Sequence, residues 1–403
     1  MGTRDDLGVS TFRTSAVALT AACLLAALGV PVAAATPRSA LPTGSAGMDM
    51  AHTAPVRTAE TVLAGMTLRQ KVGQLFMVGT PATAASSATL SAITNQHVGN
   101  VMLTGRSHGG TTTPARVAAT MQDRATDAAT SRVRLLVATD QEGGQVQVLN
   151  GPGISDMPTA LRQGRWSLPT LRDRAGVWAR QLRKSGVNMN LAPVEDTVPS
   201  ARAARNNPPI GVFDREFGYR VKVVTNHGRA FMLGMSTHGV VPTLKHFPGL
   251  GRVHANTDTS RGVTDRVTTR HDAYLQPFAT SVKAGAPVVM MSLAYYHRLD
   301  PKNPAAFSRF VIDRMLRGDL GFRGVVVSDD LADARQVSPW GYGARAVKFL
   351  TAGGDLVLTV NPKALPAMYR AVLDKAQHDA TFRADVDASA LRVLRVKEER
   401  GLL

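Results

Sequence analysis

Four apolar runs in this 403-residue chain end in residues able to donate protons, accept them or attack an electrophile. Leu135–Thr139 runs into Asp140-Gln141-Glu142-Gly143-Gly144, and Val187–Pro193 into Glu195 and Asp196. Val240–Leu244 leads to Lys245-His246-Phe247-Pro248-Gly249, and Gly324–Ser328 to Asp329 and Asp330. Carboxylates gathered in this way suit two reactions. Glycoside hydrolysis needs one carboxylate to attack or stabilise the anomeric carbon and an acid to protonate the leaving oxygen. Metal-assisted hydrolysis needs His and Asp/Glu ligands around an ion with an open position. The chain has no His-x-His on an early run and no His-Glu-x-x-His, and its ten histidines are dispersed, so neither metal nor cofactor is expected. A lone Asp after an apolar run is ordinarily a helix cap. Carboxylates at several successive run ends are poorly explained that way.

The elements that must position these groups alternate. Eight short apolar runs are candidate strands: Val72–Gly79, Val98–Leu103, Leu135–Thr139, Val187–Pro193, Val240–Leu244, Val288–Ser292, Gly324–Ser328 and Asp355–Val360. Between them lie amphipathic stretches: Pro114–Ala129, Leu168–Ser185, Phe217–Met235, Ala273–Lys283, Ser308–Gly318, Tyr342–Ala352 and Ala364–Gln377, with a first helical pattern around Thr58–Gln70. Near-continuous apolar strands separated by helices read as parallel βαβ units covered on both faces. Eight units in this length favour an α/β fold of the (β/α)8 TIM-barrel type over an open sheet, and no Gly-x-Gly-x-x-Gly follows the first run. In such a barrel the strand C-termini share one face, where Asp140, Lys245, His246 and Asp329 would converge.

These motifs carry a resemblance. Met66 to Leu75, Asp140 to Gly144, Ala192-Pro193-Val194, Asp214-Arg215-Glu216-Phe217-Gly218, Lys245 to Gly249 and Gly324 to Leu331 occur in order over residues 58–360. In this the chain resembles a family 3 glycoside hydrolase of the single-domain β-N-acetylhexosaminidase type. The resemblance implies a retaining exo-glycosidase acting on terminal β-linked N-acetylglucosamine, with peptidoglycan fragments as the expected source. Asp329 matches the nucleophile that forms a covalent glycosyl-enzyme. Asp140, Arg215, Lys245 and His246 match residues that hold the sugar hydroxyls, while Asp330 is the better candidate for the helix cap after that strand. Two alternatives stay open: a phosphorylase or transglycosidase that resolves the same intermediate with another acceptor, and a cell-wall sugar-binding protein that has lost catalysis.

Three departures from the family pattern bear on the site. Gln145 and Val148 stand where arginines are usual, and Leu250 replaces a second histidine. The loop that normally ends in Asp-Ser-His reads Asn256-Thr257-Asp258, so Asp258 occupies the position of the acid/base histidine. A carboxylic acid can do that work if its environment keeps it protonated when needed. His254, four residues earlier, is the competing acid/base candidate. Asp196 is expected to order the rim or touch substrate, and Glu195 to face solvent. Trp340 is the best stacking candidate of Trp166, Trp178 and Trp340, and Met290 and Met291 read as core.

Residues 1–35 read as a signal peptide, with an apolar stretch from Ser15 to Val32 and a small-residue cleavage site at Ala33-Ala34-Ala35. Residues 36–57 read as a flexible linker and 58–403 as the catalytic domain. Cys23, the one cysteine, excludes an intramolecular disulfide framework. The chain is strongly basic, with 47 Lys and Arg against 30 Asp and Glu and a net charge of +17. Scattered basic residues with only 5% aromatics do not form a nucleic-acid platform. They fit an exported protein near an anionic cell envelope. The sequence leaves the oligomeric state open.

Overall fold

The apolar runs become eight parallel strands in a computed structural model that describes residues 57–403. The expected leader, Cys23 and all of the expected linker up to residue 56 lie outside the described residues. The strands are β1 (Phe76–Pro81), β2 (Asn100–Thr104), β3 (Leu136–Thr139), β4 (Met189–Asn190), β5 (Val241–Phe247), β6 (Val288–Met291), β7 (Val325–Ser328) and β8 (Val357–Thr359). Each pairs with its successor from β1 through β7, and β8 pairs with β1. One parallel bridge, Val327 to Leu356, joins the remaining edges. The helices α1 (Ser87–Asn95), α2 (Thr112–Gln122), α3 (Leu168–Lys184), α4 (Val221–Thr237), α5 (Gln276–Lys283), α6 (Phe310–Asp319, π-helical), α7 (Tyr342–Thr351) and α8 (Leu365–His378) alternate with the strands. The result is a nearly closed (β/α)8 barrel.

The period of two along each strand divides the core. Met77, Leu136, Ala138, Met189, Val241, Val288, Met290, Val325 and Val327 fill the barrel interior in one cluster, while Phe76, Val78, Val137, Val289 and Val326 face the helices. Val393, Val396 and Leu402 join the interior cluster from the C-terminal end of the chain. The first two of these lie on α9 (Ala380–Glu398), a helix with no counterpart among the expected elements. Its start is fixed by the Asp379 carboxylate, which accepts from Phe382 N–H.

Several expected boundaries are corrected. Val72 to Gln74 belong to the helix Leu68–Gln74, which a Thr67/Gln70 capping box starts, so β1 begins at Phe76. The run Val187–Pro193 keeps only two ladder residues. There the Asn188 and Asn190 side chains accept from Val137 N–H and Gln141 N–H and substitute for backbone pairing. Pro114–Ala129 divides into α2 and a short turn, Asp127–Thr130, capped by Thr126. The stretch Phe217–Met235 becomes helical only from Val221.

The short seam between β7 and β8, joined by backbone hydrogen bonds such as Leu356 N–H to Val326 C=O and Ser328 N–H to Leu356 C=O, is reinforced by a side chain. Asp355, fully buried, accepts from Val326 N–H (2.8 Å), Arg317 (2.6 Å), Arg392 (2.7 Å) and the Ser389 hydroxyl (2.9 Å). One carboxylate thus ties β7, β8, α6 and α9 together. Removing it leaves Arg317 without its carboxylate partner inside the fold, a defect that costs about 3–5 kcal/mol. Asp355→Ala is therefore expected to lower the unfolding free energy from denaturant melts by that amount, with Asp355→Asn losing less. A free energy within experimental error of wild type would show that the backbone hydrogen bonds alone hold the seam.

Candidate active site

The strand C-termini open into a cavity of about 580 Å³ lined by Asp140, Arg215, Lys245, His246, Asp258 and Asp329, among others. Met102, Leu191, Met290 and Leu358 form an apolar floor. The six polar residues come from three strand ends and two loops.

Lys245 and His246 are neighbours in sequence, yet both line the cavity. The peptide between them is cis, and the β5–β6 ladder shifts register between Leu244 and Phe247. The Lys245 ammonium donates to Asp140 (2.6 Å) and pairs with Glu142 (2.5 Å). Arg215 grips the same Glu142 with two parallel hydrogen bonds of 2.8 and 2.7 Å and donates to Pro209 C=O (2.7 Å). Burial alone would push Glu142 up, but Arg215 and Lys245 outweigh it and hold the carboxyl at about 2. Burial opposes the charge on Lys245 too, and Asp140 and Glu142 overcome that and hold it protonated. Glu142, part of the motif after β3, had no role assigned from sequence. It is the anchor for both cations.

His246 is aimed by Asp196, which accepts from its Nδ1 (2.7 Å), its backbone N–H (3.2 Å) and Leu250 N–H (2.8 Å). Asp196 is fully buried, so it orders the rim and does not itself line the cavity. This contact fixes Nδ1 and leaves Nε2 as the free ring nitrogen. Glu195 contradicts the expected solvent-facing position: it is fully buried and accepts from the Ser281 hydroxyl. Burial pushes its carboxyl well above the ordinary range, with the Asp196 charge adding to the effect.

Asp329, at the end of β7, is partly buried and accepts from Asp330 N–H (2.8 Å). Burial raises its carboxyl to about 6, with the neighbouring Asp258 charge also raising it and His246 and Lys245 pulling it down. Asp330 caps no helix directly. Its carboxylate accepts from Ala332 and Asp333 N–H and from Val360 N–H beyond β8, fixing the turn that carries Asp329.

The loop between Gly249 and Val263 brings Asp258 to Asp329. Arg335 N–H donates to Asp258 C=O and Gln336 N–H to Thr257 C=O, while the Gln336 amide exchanges two hydrogen bonds with the Val263 backbone. Asn256 Oδ1 accepts from Asp258 N–H (2.9 Å). His254 is exposed on this loop, contacts the Asn206 carbonyl at 3.1 Å and lies outside the cavity lining. Trp340 packs edge-on against Phe307 at 5.2 Å, and Trp166 packs on Trp178, so none of the three tryptophans lines the cavity. Phe213 contributes an aromatic face instead, and Met290 doubles as core and floor. Gln145 lines the cavity where an arginine was expected, and Val148 packs into the core. Arg106 from the β2 end enters the cavity and donates to the Gln145 and Gln147 carbonyls. It had escaped notice because it belongs to no motif.

A parallel barrel whose strand ends present two carboxylates beside a Lys–His pair defines a barrel enzyme of the carboxylate-catalysed class. The family model described as the glycosyl hydrolase family 3 N terminal domain matches residues 67–396, and the chain belongs to that family. A β-hexosaminidase from Xanthomonas oryzae pv. oryzae is 31% identical over 325 residues, spanning 79% of this chain and 92% of that one. The crystal structure of a β-N-acetylhexosaminidase from Beutenbergia cavernae is 53% identical, covers 83% of this chain and 99% of its own, and superposes with a TM-score of 0.82. LpqI of M. tuberculosis is similar at 28% identity and a TM-score of 0.73, over 85% of this chain and 96% of that one.

The raised Asp329 carboxyl carries a sign that can be checked. A folded value of about 6 against an ordinary 3.8 means that the ionised form is disfavoured by folding. Stability from this group is present below the ordinary value and lost as pH rises through about 6. Asp329→Asn is therefore expected to stabilise the fold at pH 7.5, by on the order of 1–3 kcal/mol, and to be neutral at pH 3.5. Denaturant melts of both proteins at the two pH values decide it; equal stability at both would contradict the buried-charge reading.

Proposed function

We propose that the chain is a retaining exo-β-N-acetylglucosaminidase in which Asp329 is the nucleophile and Asp258 the acid/base. The observation that carries this reading is the pairing of those two carboxylates across one cavity, beside Lys245, His246, Asp140 and Arg215. The relatives' printed activity, β-hexosaminidase and β-N-acetylhexosaminidase, supplies the substrate class.

The ring hydroxyls bind to Asp140, Lys245, His246 and Arg215, and the apolar floor supports a sugar face. Charge-assisted hydrogen bonds fix the ring and strengthen as positive charge develops at the anomeric carbon. Asp329 attacks that carbon while Asp258 protonates the departing oxygen. Asp258, now ionised, takes a proton from water, which attacks the glycosyl-Asp329 ester and regenerates both groups. An ionised Asp258 repels an anionic acceptor, which favours water over phosphate. Peptidoglycan fragments are the proposed source of the sugar, and export to the cell envelope the proposed location, supported by the leader-like N-terminus and the +17 charge.

Release of 4-nitrophenol from its β-N-acetylglucosaminide tests the assignment. Asp329→Asn should lower kcat by at least about 10³-fold, in the range found for essential catalytic groups. A fluorinated N-acetylhexosaminyl inactivator should add its mass to the Asp329 peptide, and phosphate should not accelerate turnover. Full activity in the variant, or no adduct on folded protein, overturns the nucleophile.

Asp258→Ala should reduce hydrolysis of a substrate with a poor leaving group far more than that of an activated phenol, because the phenol scarcely needs protonation. The same selectivity in His254→Ala, absent from Asp258→Ala, would transfer the role to His254. For wild type, kcat/KM on the phenol should fall tenfold per pH unit below about 6, as Asp329 takes up its proton.

A further inference from the structure

The flank of the barrel carries a second hollow, of about 700 Å³, between α3 and α4 and remote from the strand ends. Its walls hold Arg172, Arg180 and Arg229, all exposed, with His238 at one end and Asp173 as the one acid. The two helices together carry seven Lys and Arg against that single Asp. Four arginines elsewhere have an acidic partner: Arg252 in Asp272, Arg270 in Asp319, Arg309 in Asp313 and Arg395 in Glu60. Among the described residues no basic side chain of α3 or α4 forms a salt bridge, and Arg180 donates to the His238 imidazole instead of to a carboxylate. The two helices thus present positive charge without an ion-paired carboxylate to a concave surface.

We propose that this groove binds a linear phosphodiester polymer. Arg172 and Arg180 lie two turns apart along α3, with Arg229 on the facing helix, and a 17-residue helix is about 25 Å long. A single extended polyanion fits between them. Guanidinium forks match phosphate oxygens in pairs, which favours phosphate over an isolated carboxylate. The exposed large apolar side chains, Val212, Val267 and Tyr342, lie outside the groove, so it offers nothing to insert into a bilayer. It also has no exposed aromatic face on which a base could stack, which separates it from a single-stranded nucleic-acid site. The groove is a holding site on the outside of the barrel that leaves the catalytic mouth free.

Binding of end-labelled poly(glycerol phosphate), followed by fluorescence anisotropy at 50 and 200 mM NaCl, tests the proposal on the full chain. Arg172→Glu/Arg229→Glu should weaken binding at least tenfold and flatten the dependence of log K on log salt by about one to two units. Arg124→Glu/Arg314→Glu changes net charge equally at exposed positions outside the groove and should alter binding less than threefold. Thermal unfolding verifies that each variant is folded; Arg172→Gln/Arg229→Gln, with an expected loss of at least threefold, replaces the reversal if that variant is not. Equal weakening by the two reversed pairs would show net charge acting without a site and overturn the proposal. Tighter binding of a single-stranded oligonucleotide of equal charge, or of phosphatidylglycerol vesicles, through the same arginines would overturn it too.

Discussion

Two buried cations share one carboxylate at the centre of this molecule, and the catalytic mouth rests on that arrangement. Lys245 and Arg215 would each be costly to bury alone, and both are offset by Glu142, which follows β3. Because Glu142 is held ionised by its partners, it cannot drift to a neutral form that would release them. The Lys245 ammonium is then free to turn one further hydrogen bond to Asp140, which is the most solvent-accessible member of the set. Charge is therefore balanced from the inside outward, and the outermost groups are those left to meet a substrate.

The same economy applies to the second pair. Asp196 is as deeply buried as any residue in the barrel and spends its three acceptor contacts on the backbone and ring of His246 and on the turn at Leu250. Leu250 contributes a buried side chain and a backbone donor. Arg106 enters the cavity beside Gln145, so a guanidinium is present even though the usual positions hold Gln145 and Val148.

The barrel was legible because its strands are apolar on both faces and its helices amphipathic, so the two periods alternate cleanly along the chain. The site was legible where a motif sat at a strand end: Asp140, Lys245, His246 and Asp329 all line one cavity. What could not be read was whatever depends on a partner distant in sequence. Glu142 carried no role of its own because Arg215, which closes on it, lies 73 residues later. Glu195 looked solvent-facing because nothing local announces that Ser281 lies over it. Trp340 looked available for stacking until Phe307 took its edge. Helix α9 escaped because its contribution is made to the barrel floor and to Asp355, neither of which leaves a local trace.

That dependence on α9 has a consequence for the order of assembly. The seam beside the strand that carries Asp329 is reinforced through Asp355, and two of the groups on that carboxylate, Ser389 and Arg392, belong to the last helix of the chain. A polypeptide made from its N-terminus can lay down β1 through β8 and still lack the contacts that lock the ring. The strand that carries Asp329 therefore gains the last of its supporting contacts only when the far end of the molecule is complete.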